Sequence, residues 1–133
     1  MKLTTRSEYA LLALVFLARR QNNELVSVEV IAREQKIPEK FLEQILLALK
    51  RSGYLRSSRG QHGGYAMLRL PHEITLAEIV RLFDGPLAPT ASASRFYYQT
   101  TPIEKEKRLL KVFKDVRNYI ATTMENTTLA DVL

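Results

Sequence analysis

Apolar side chains recur along this chain at helical spacing in some stretches and at strand spacing in others, and the changes of spacing mark its elements. Tyr9, Leu12, Ala13, Phe16 and Leu17 recur every three or four residues, which predicts one buried stripe on a helix. Thr4 and Thr5 can cap that helix, which is expected to run to about residue 20, where Gln21, Asn22 and Asn23 break it. Ser27 is a good N-cap for a second helix over 28–35, with Val28, Ile31 and Ala32 inward. A short turn through Lys36 and Ile37 leads to Pro38 and a third helix over 38–52. Proline suits a first turn because its missing N–H would have no partner there. Phe41, Leu42, Ile45, Leu46 and Leu49 form its core stripe, and Gly53 stops it.

The period then changes. Residues 54–57 and 65–70 read as short strands, and the run Arg59-Gly60-Gln61-His62-Gly63-Gly64 between them reads as a hairpin tip. Thr75 caps a fourth helix over 76–83, ended by Asp84-Gly85-Pro86. Residues 87–101 are irregular. Pro102 is expected to open a long helix to about residue 124, whose apolar stripe is Ile103, Leu109, Leu110, Phe113, Val116, Ile120 and Met124. Thr127 or Thr128 can cap a final short turn. The fold class is therefore mainly α. Three helices and a two-stranded wing make a winged helix-turn-helix over 1–84, followed by a loop over 85–101 and a dimerisation helix with its tail over 102–133. A helix with one apolar stripe that projects from so small a domain is best buried by a second copy. Folding back onto its own domain is the alternative.

Charge narrows the partner. The chain has 133 residues, 46% of them hydrophobic, and a formal charge of +6. Between residues 36 and 69 stand seven basic residues (Lys36, Lys40, Lys50, Arg51, Arg56, Arg59 and Arg69) against Glu39 and Glu43. A local cationic face of this kind suits phosphate neutralisation, although a solvated helix face would look the same. On the third helix Glu39, Lys40, Glu43, Gln44 and Ala48 lean outward. Gln44 can pair with adenine, Glu43 can accept from a cytosine amino group, and Lys40 can reach a guanine edge or a phosphate. Glu43 is equally readable as an ordinary surface carboxylate. Arg59, Gly60, Gly63 and Gly64 form a tip that can approach another molecule closely, and an arginine there can enter a minor groove. Thr4, Arg6 and Ser27, at helix N-termini, can hold phosphates or serve only as caps.

Other chemistry has little material. The chain has no cysteine, which excludes disulfides, thiolate nucleophiles and Cys-ligated metals. Its two histidines, His62 and His72, belong to no metal-spaced set and stand near no evident nucleophile, so neither a catalytic nor a metal site is expected. The glycines of the hairpin are not a phosphate loop, because no Gly-Lys-Ser/Thr follows. The longest apolar run, over 9–18, is too short to span a membrane, and a cytoplasmic location is the default expectation.

Three stretches carry a resemblance: Thr4-Thr5-Arg6-Ser7-Glu8-Tyr9-Ala10, Phe41-Leu42-Glu43-Gln44-Ile45-Leu46 and Arg59-Gly60-Gln61-His62-Gly63-Gly64-Tyr65. With Ile74-Thr75-Leu76-Ala77-Glu78-Ile79 and Thr128-Leu129-Ala130-Asp131-Val132, they resemble the regulators of the IscR, NsrR and CymR type, the Rrf-two family. The resemblance covers nearly the whole chain. It implies a homodimeric repressor or activator whose long C-terminal helix crosses its partner, with paired wings on a double-stranded inverted-repeat operator. It also implies that Glu43 and Gln44 are recognition residues and Arg59 the wing arginine. The dimer contact would fall on Ile103, Leu110, Phe113, Val116, Ile120 and Met124. Many members hold an iron–sulfur cluster on three cysteines between the fourth helix and the long helix. Here Ser92, Ser94, Thr100 and Thr101 occupy that region, so no cluster and no other cofactor is expected. A small-molecule or protein effector acting through the 85–101 loop is the expected alternative, with Phe96, Tyr97 and Tyr98 as stacking surfaces or as core and interface aromatics. A winged-helix adaptor for a protein or RNA partner is the competing function.

Overall fold

A computed structural model describes every residue of the chain except Gln21 and Asn23. Part of the predicted break after the first helix therefore lies outside the described residues. The described residues form α1 (Thr5–Ala18), α2 (Val28–Gln35), α3 (Glu39–Arg51), β1 (Leu55–Ser58), β2 (Gly64–Met67), α4 (Leu76–Asp84) and α5 (Lys107–Glu125), joined in places by short 3-10 turns.

The helix starts follow the capping chemistry. The hydroxyls of Thr4, Ser27 and Thr75 each accept from a first-turn amide, of Ser7, Val30 and Glu78 respectively. Thr75 and Glu78 complete a reciprocal capping box, with the Thr75 amide donating to Glu78 at 2.8 Å. Between α2 and α3 the chain turns at Lys36, which adopts a left-handed conformation at φ 55°. Ile37 is buried next to it, and its amide donates to the Ala32 carbonyl. Pro38 is the cap of α3 rather than its first helical residue.

One core fills the space between α1, α2, α3 and the wing base, with Leu14, Leu17, Ile31, Leu42, Ile45, Leu46 and Leu49 fully buried. A smaller cluster joins Ala77, Val80 and Leu87 to Leu3, Leu11, Ile120 and Met124, and so ties α4 to α1 and α5. The wing pairs antiparallel, Leu55 opposite Met67 through Ser58 opposite Gly64. Tyr65 also exchanges both backbone hydrogen bonds with Val26, which docks the wing against the entry to α2.

Three expectations are corrected. α1 buries Ala10, Ala13, Leu14 and Leu17 and exposes Leu12, because it is apolar nearly all round and its period alone does not select a face. Pro102 opens a 3-10 turn over Pro102–Lys105; the backbone extends at Glu106 and α5 begins at Lys107. The tail is not an appendage of α5. Thr128 caps a 3-10 turn over Leu129–Val132, Leu129 is fully buried in the main core, and its amide donates to the Ile74 carbonyl.

Candidate nucleic-acid interface

On α3, Leu42, Ile45, Leu46 and Leu49 point inward, and Lys40, Glu43, Gln44 and Leu47 stand exposed on the other side. Glu43 and Gln44 stand three and four residues after Lys40, and Leu47 stands four and three residues after them, which keeps all four on one face. The side chains of Lys40, Glu43 and Gln44 make no hydrogen bond or ion pair within the chain among the described residues. Leu47 was not singled out from sequence. It lies among polar residues, where an apolar group suits a thymine methyl. Ala48 is only half exposed, and Phe41, expected in the core, is exposed and meets Tyr9 edge-on at 5.6 Å.

The wing presents Arg59 at its tip, exposed and without an intrachain partner among the described residues. Its glycines divide into two kinds. A Cβ at Gly63 would lie 2.2 Å from the Ser58 carbonyl oxygen, and one at Gly64 would lie 2.3 Å from that of Val26. Gly64 also has φ of 147°. These two glycines are required by the tight tip and by the docking of the wing, so their first role is to aim Arg59 rather than to touch a ligand. A Cβ at Gly60 would meet nothing within 4 Å, but its φ of 103° favours glycine, and its carbonyl accepts the Gly63 amide at 3.0 Å.

Between the wing and α2 lies a cleft of about 610 Å³, lined by Arg20, Ser27, Val30, Gln61, His62 and Gly63. The Ser27 hydroxyl accepts from the Val30 amide, and the earlier amides of that turn have no intrahelical acceptor. The corresponding expectation fails at Thr4. Its amide donates to Asp84 at 3.1 Å and its hydroxyl also donates to Asp84. A carboxylate from the end of α4 thus already occupies the place predicted for a phosphate. Burial would raise the Asp84 carboxyl, but hydrogen bonds from the Thr4 hydroxyl and amide and the nearby Arg6 charge hold it below the usual range. Arg6 remains exposed beside the Phe83 ring. Arg69 leaves the cationic face as well. It donates to Glu78 at 3.1 Å and to the Glu73 carbonyl at 3.0 Å, and lies over the Tyr54 ring.

The stripe expected on the last helix divides between two faces. Leu110 is buried, Ile120 and Met124 pack against the α4 cluster, and Ile103 and Phe113 are half-buried. Of the six residues named for the dimer contact, Val116 alone belongs to the outward face. There it joins Leu109, Val112 and Tyr119, with exposures of 47%, 54%, 40% and 78% from Leu109 to Tyr119. In the loop, Phe96, Tyr97 and Tyr98 are exposed rather than core residues.

Comparison with known proteins bears on this geometry. The family model Rrf2, described as iron-dependent transcriptional regulators, matches residues 3–133. The chain belongs to the Rrf2 family. It is 38% identical to an rrf2-like HTH-type transcriptional regulator of Rhodobacter capsulatus, over 98% of this chain and 91% of that protein. Its fold superposes on CymR, the global cysteine regulator of B. subtilis, with a TM-score of 0.77, 27% identity and coverage of 99% and 95%. The IscR of T. potens gives a TM-score of 0.75 at 29% identity, covering 99% of this chain and 85% of that one. The chain is thus a DNA-binding transcriptional regulator of the winged helix-turn-helix type, and its relatives are regulators rather than enzymes. Among the described residues no helix is long and apolar enough to cross a membrane.

The Rrf2 description names iron, and the residues of this member do not fit a cluster. The 85–106 loop offers only hydroxyls and carboxylates of scattered placement. Ser92 and Thr90 hydrogen-bond to Thr101 at 2.6 and 3.2 Å, and Ser94 accepts from the Tyr97 amide at 2.9 Å. Among the described residues no three His, Cys, Asp or Glu side chains gather as a metal would need. Hard, protonated hydroxyls do not replace thiolates on soft iron–sulfur centres.

Proposed function

We propose that this regulator binds an inverted-repeat operator as a homodimer, without an iron–sulfur cluster, and acts as a repressor. The observation that carries the reading is the set of exposed side chains without intrachain partners, Lys40, Glu43 and Gln44 on α3 and Arg59 on the wing. In this reading α3 enters the major groove, with Gln44 and Glu43 at base edges and Lys40 at a guanine or a phosphate. Arg59 enters the adjacent minor groove. Arg6 and the Ser27 end of α2 flank the phosphates. Gly60, Gly63 and Gly64 shape the tip. Thr4 is left out, since its donors are spent on Asp84.

The dimer reading rests on Leu109, Val112, Val116 and Tyr119, whose three-four-three spacing is that of a coiled-coil seam. A second copy crossing there doubles the DNA face and sets the half-site spacing by its two-fold axis. Repression is the simplest output of such binding, because a dimer seated on a promoter excludes the polymerase. Selection of bound sequences from a random duplex pool tests the reading. It should return a two-fold symmetric site whose affinity falls steeply with salt. Recovery of unrelated sequences, at the affinity of bulk duplex, would refute it.

A further inference from the structure

Three arginines meet on the side of the molecule built by α4, the loop and α5. Arg81 comes from α4, Arg95 from the loop and Arg117 from α5, and all three line one cleft with Ser94 and Phe96. Arg81 and Arg95 donate to the same oxygen of Glu125, at 2.6 and 3.1 Å. Both guanidiniums also lie on the Phe96 ring, 5.3 and 5.5 Å from its centroid. Arg117 donates to the Ala93 carbonyl at 2.6 Å and to the Asn118 amide oxygen, and makes no ion pair among the described residues.

This arrangement is unbalanced in charge and in geometry. Arg81 and Arg95 share one carboxylate and Arg117 has none, leaving an excess of two positive charges among the four groups. A guanidinium is a planar fork suited to bidentate pairing with carboxylate or phosphate. Here two forks converge on a single oxygen, so neither pairing is bidentate. The Glu125 side chain is 38% exposed, where an ion pair contributes little and exchanges readily with solutes. The open space between the three arginines is about 10 Å³, room for at most one water, so a ligand that reaches Arg81 and Arg95 must take the place of Glu125 on them.

We propose that this cleft binds a small dianion, a dicarboxylate or a phosphate monoester, which displaces Glu125 from Arg81 and Arg95 and draws in Arg117. Glu125 then acts as a built-in competitor that holds the site closed when the dianion is absent. Binding there does not depend on how the DNA face is used. Because the three arginines come from α4, the loop and α5, occupancy is felt where the winged domain joins its last helix.

Calorimetric titration of the full chain at constant ionic strength tests this, with succinate in one arm and glycerol phosphate in the other. Saturable binding of one dianion per chain in either arm is expected, and the responding arm tells carboxylate from phosphate. Glu125→Gln removes the competitor and should tighten binding several-fold. Arg117→Gln should weaken it by about tenfold, the loss of one charge-assisted contact. A purely structural ion network does not give changes of opposite sign. No saturable binding of either probe by the parent and by Glu125→Gln overturns the proposal, as does an Arg117→Gln variant that binds as tightly as the parent. Circular-dichroism melts verify that each variant folds. If Glu125→Gln does not fold, Arg95→Gln replaces it: about tenfold weaker binding supports the site, and unchanged binding removes it.

Discussion

α3 and α5 are both amphipathic, yet they leave opposite kinds of surface unused. α3 buries Leu42, Ile45, Leu46 and Leu49 in its own domain and turns a mainly polar face outward. α5 is longer, at 19 residues, but fully buries only Leu110 and Ala121 within the chain. Its spare face is apolar along Leu109, Val112, Val116 and Tyr119. A polar face asks for a polar partner, and an apolar seam asks for one that excludes water. One protomer therefore carries two incomplete surfaces of different chemistry, which fits a protein that pairs with itself through one and with DNA through the other.

The comparison breaks most sharply at α5. Val116→Glu sets a carboxylate in the proposed seam of both copies. Val116 is 40% exposed in one protomer, so the lost burial of two valines alone amounts to about 1–2 kcal/mol of dimer stability, before the larger cost of two buried charges. Sedimentation at micromolar concentration should then show a folded monomer, with operator affinity falling in parallel. A variant that remains dimeric at that concentration would place the contact elsewhere.

Two leucines side by side on α3 sharpen the other half. Leu46→Ala should cost about 2–5 kcal/mol by urea denaturation, because Leu46 is fully buried. Leu47→Ala should leave stability within about 0.5 kcal/mol, as a surface change does, while altering operator preference. Equal destabilisation by both would mean that the outward face of α3 is not free.

The wing follows in size. Arg59→Ala should weaken operator binding by about 1–3 kcal/mol and lower the salt slope by about one, with no change in thermal unfolding. Gln44→Ala should relax preference at one base position in each half-site. A Gln44 variant that selects the same sequences as its parent would take that residue out of the reading set.

How much of this the sequence revealed depended on whether a helix faced one environment or two. α3 was legible except at Phe41 and Leu47, because its core leucines and its polar residues occupy separate faces. α1 was not, since Leu11, Leu12, Leu14, Val15, Phe16 and Leu17 surround the helix and only packing selects Leu14 over Leu12. On α5 the residues facing α4 and the residues of the outward seam merge into one apparent stripe, which hid Val112 and Tyr119 and added Leu110. Three further features are long-range and leave no local signal. Asp84 reaches Thr4 across 80 positions, Arg69 turns inward to Glu78, and Leu129 returns to the core. The glycines of the wing were legible as a tip, but their close approach to Ser58 and Val26 appears only once the hairpin is docked.

The smallest predicted effect lies where the two surfaces are held in register, at the inward turn of Arg69. Glu78 caps α4 and accepts from Tyr54 at 2.7 Å and Arg69 at 3.1 Å, so it joins α4 to the end of α3 and the base of the wing. Burial would raise its carboxyl, but hydrogen bonds from the Thr75 amide, the Tyr54 hydroxyl and the Thr75 hydroxyl, with the Arg69 charge, hold it below the usual range. A carboxyl lowered in the folded state adds stability above its unfolded pKa, and that stability is lost as pH falls through the folded value. Glu78→Gln should therefore cost about 1 kcal/mol at pH 7, and its urea midpoint should converge on that of the parent as the solution is acidified. The same latch acts on Tyr54 from the other side. Burial first, then the hydrogen bond to Glu78 and its charge, push the phenol up to about 12. In the parent, absorbance titration above pH 10 should show one tyrosine ionising last, and in Glu78→Gln that step should move to lower pH. A parent and variant with the same acid dependence would mean that Glu78 only caps α4 and does not couple the two faces.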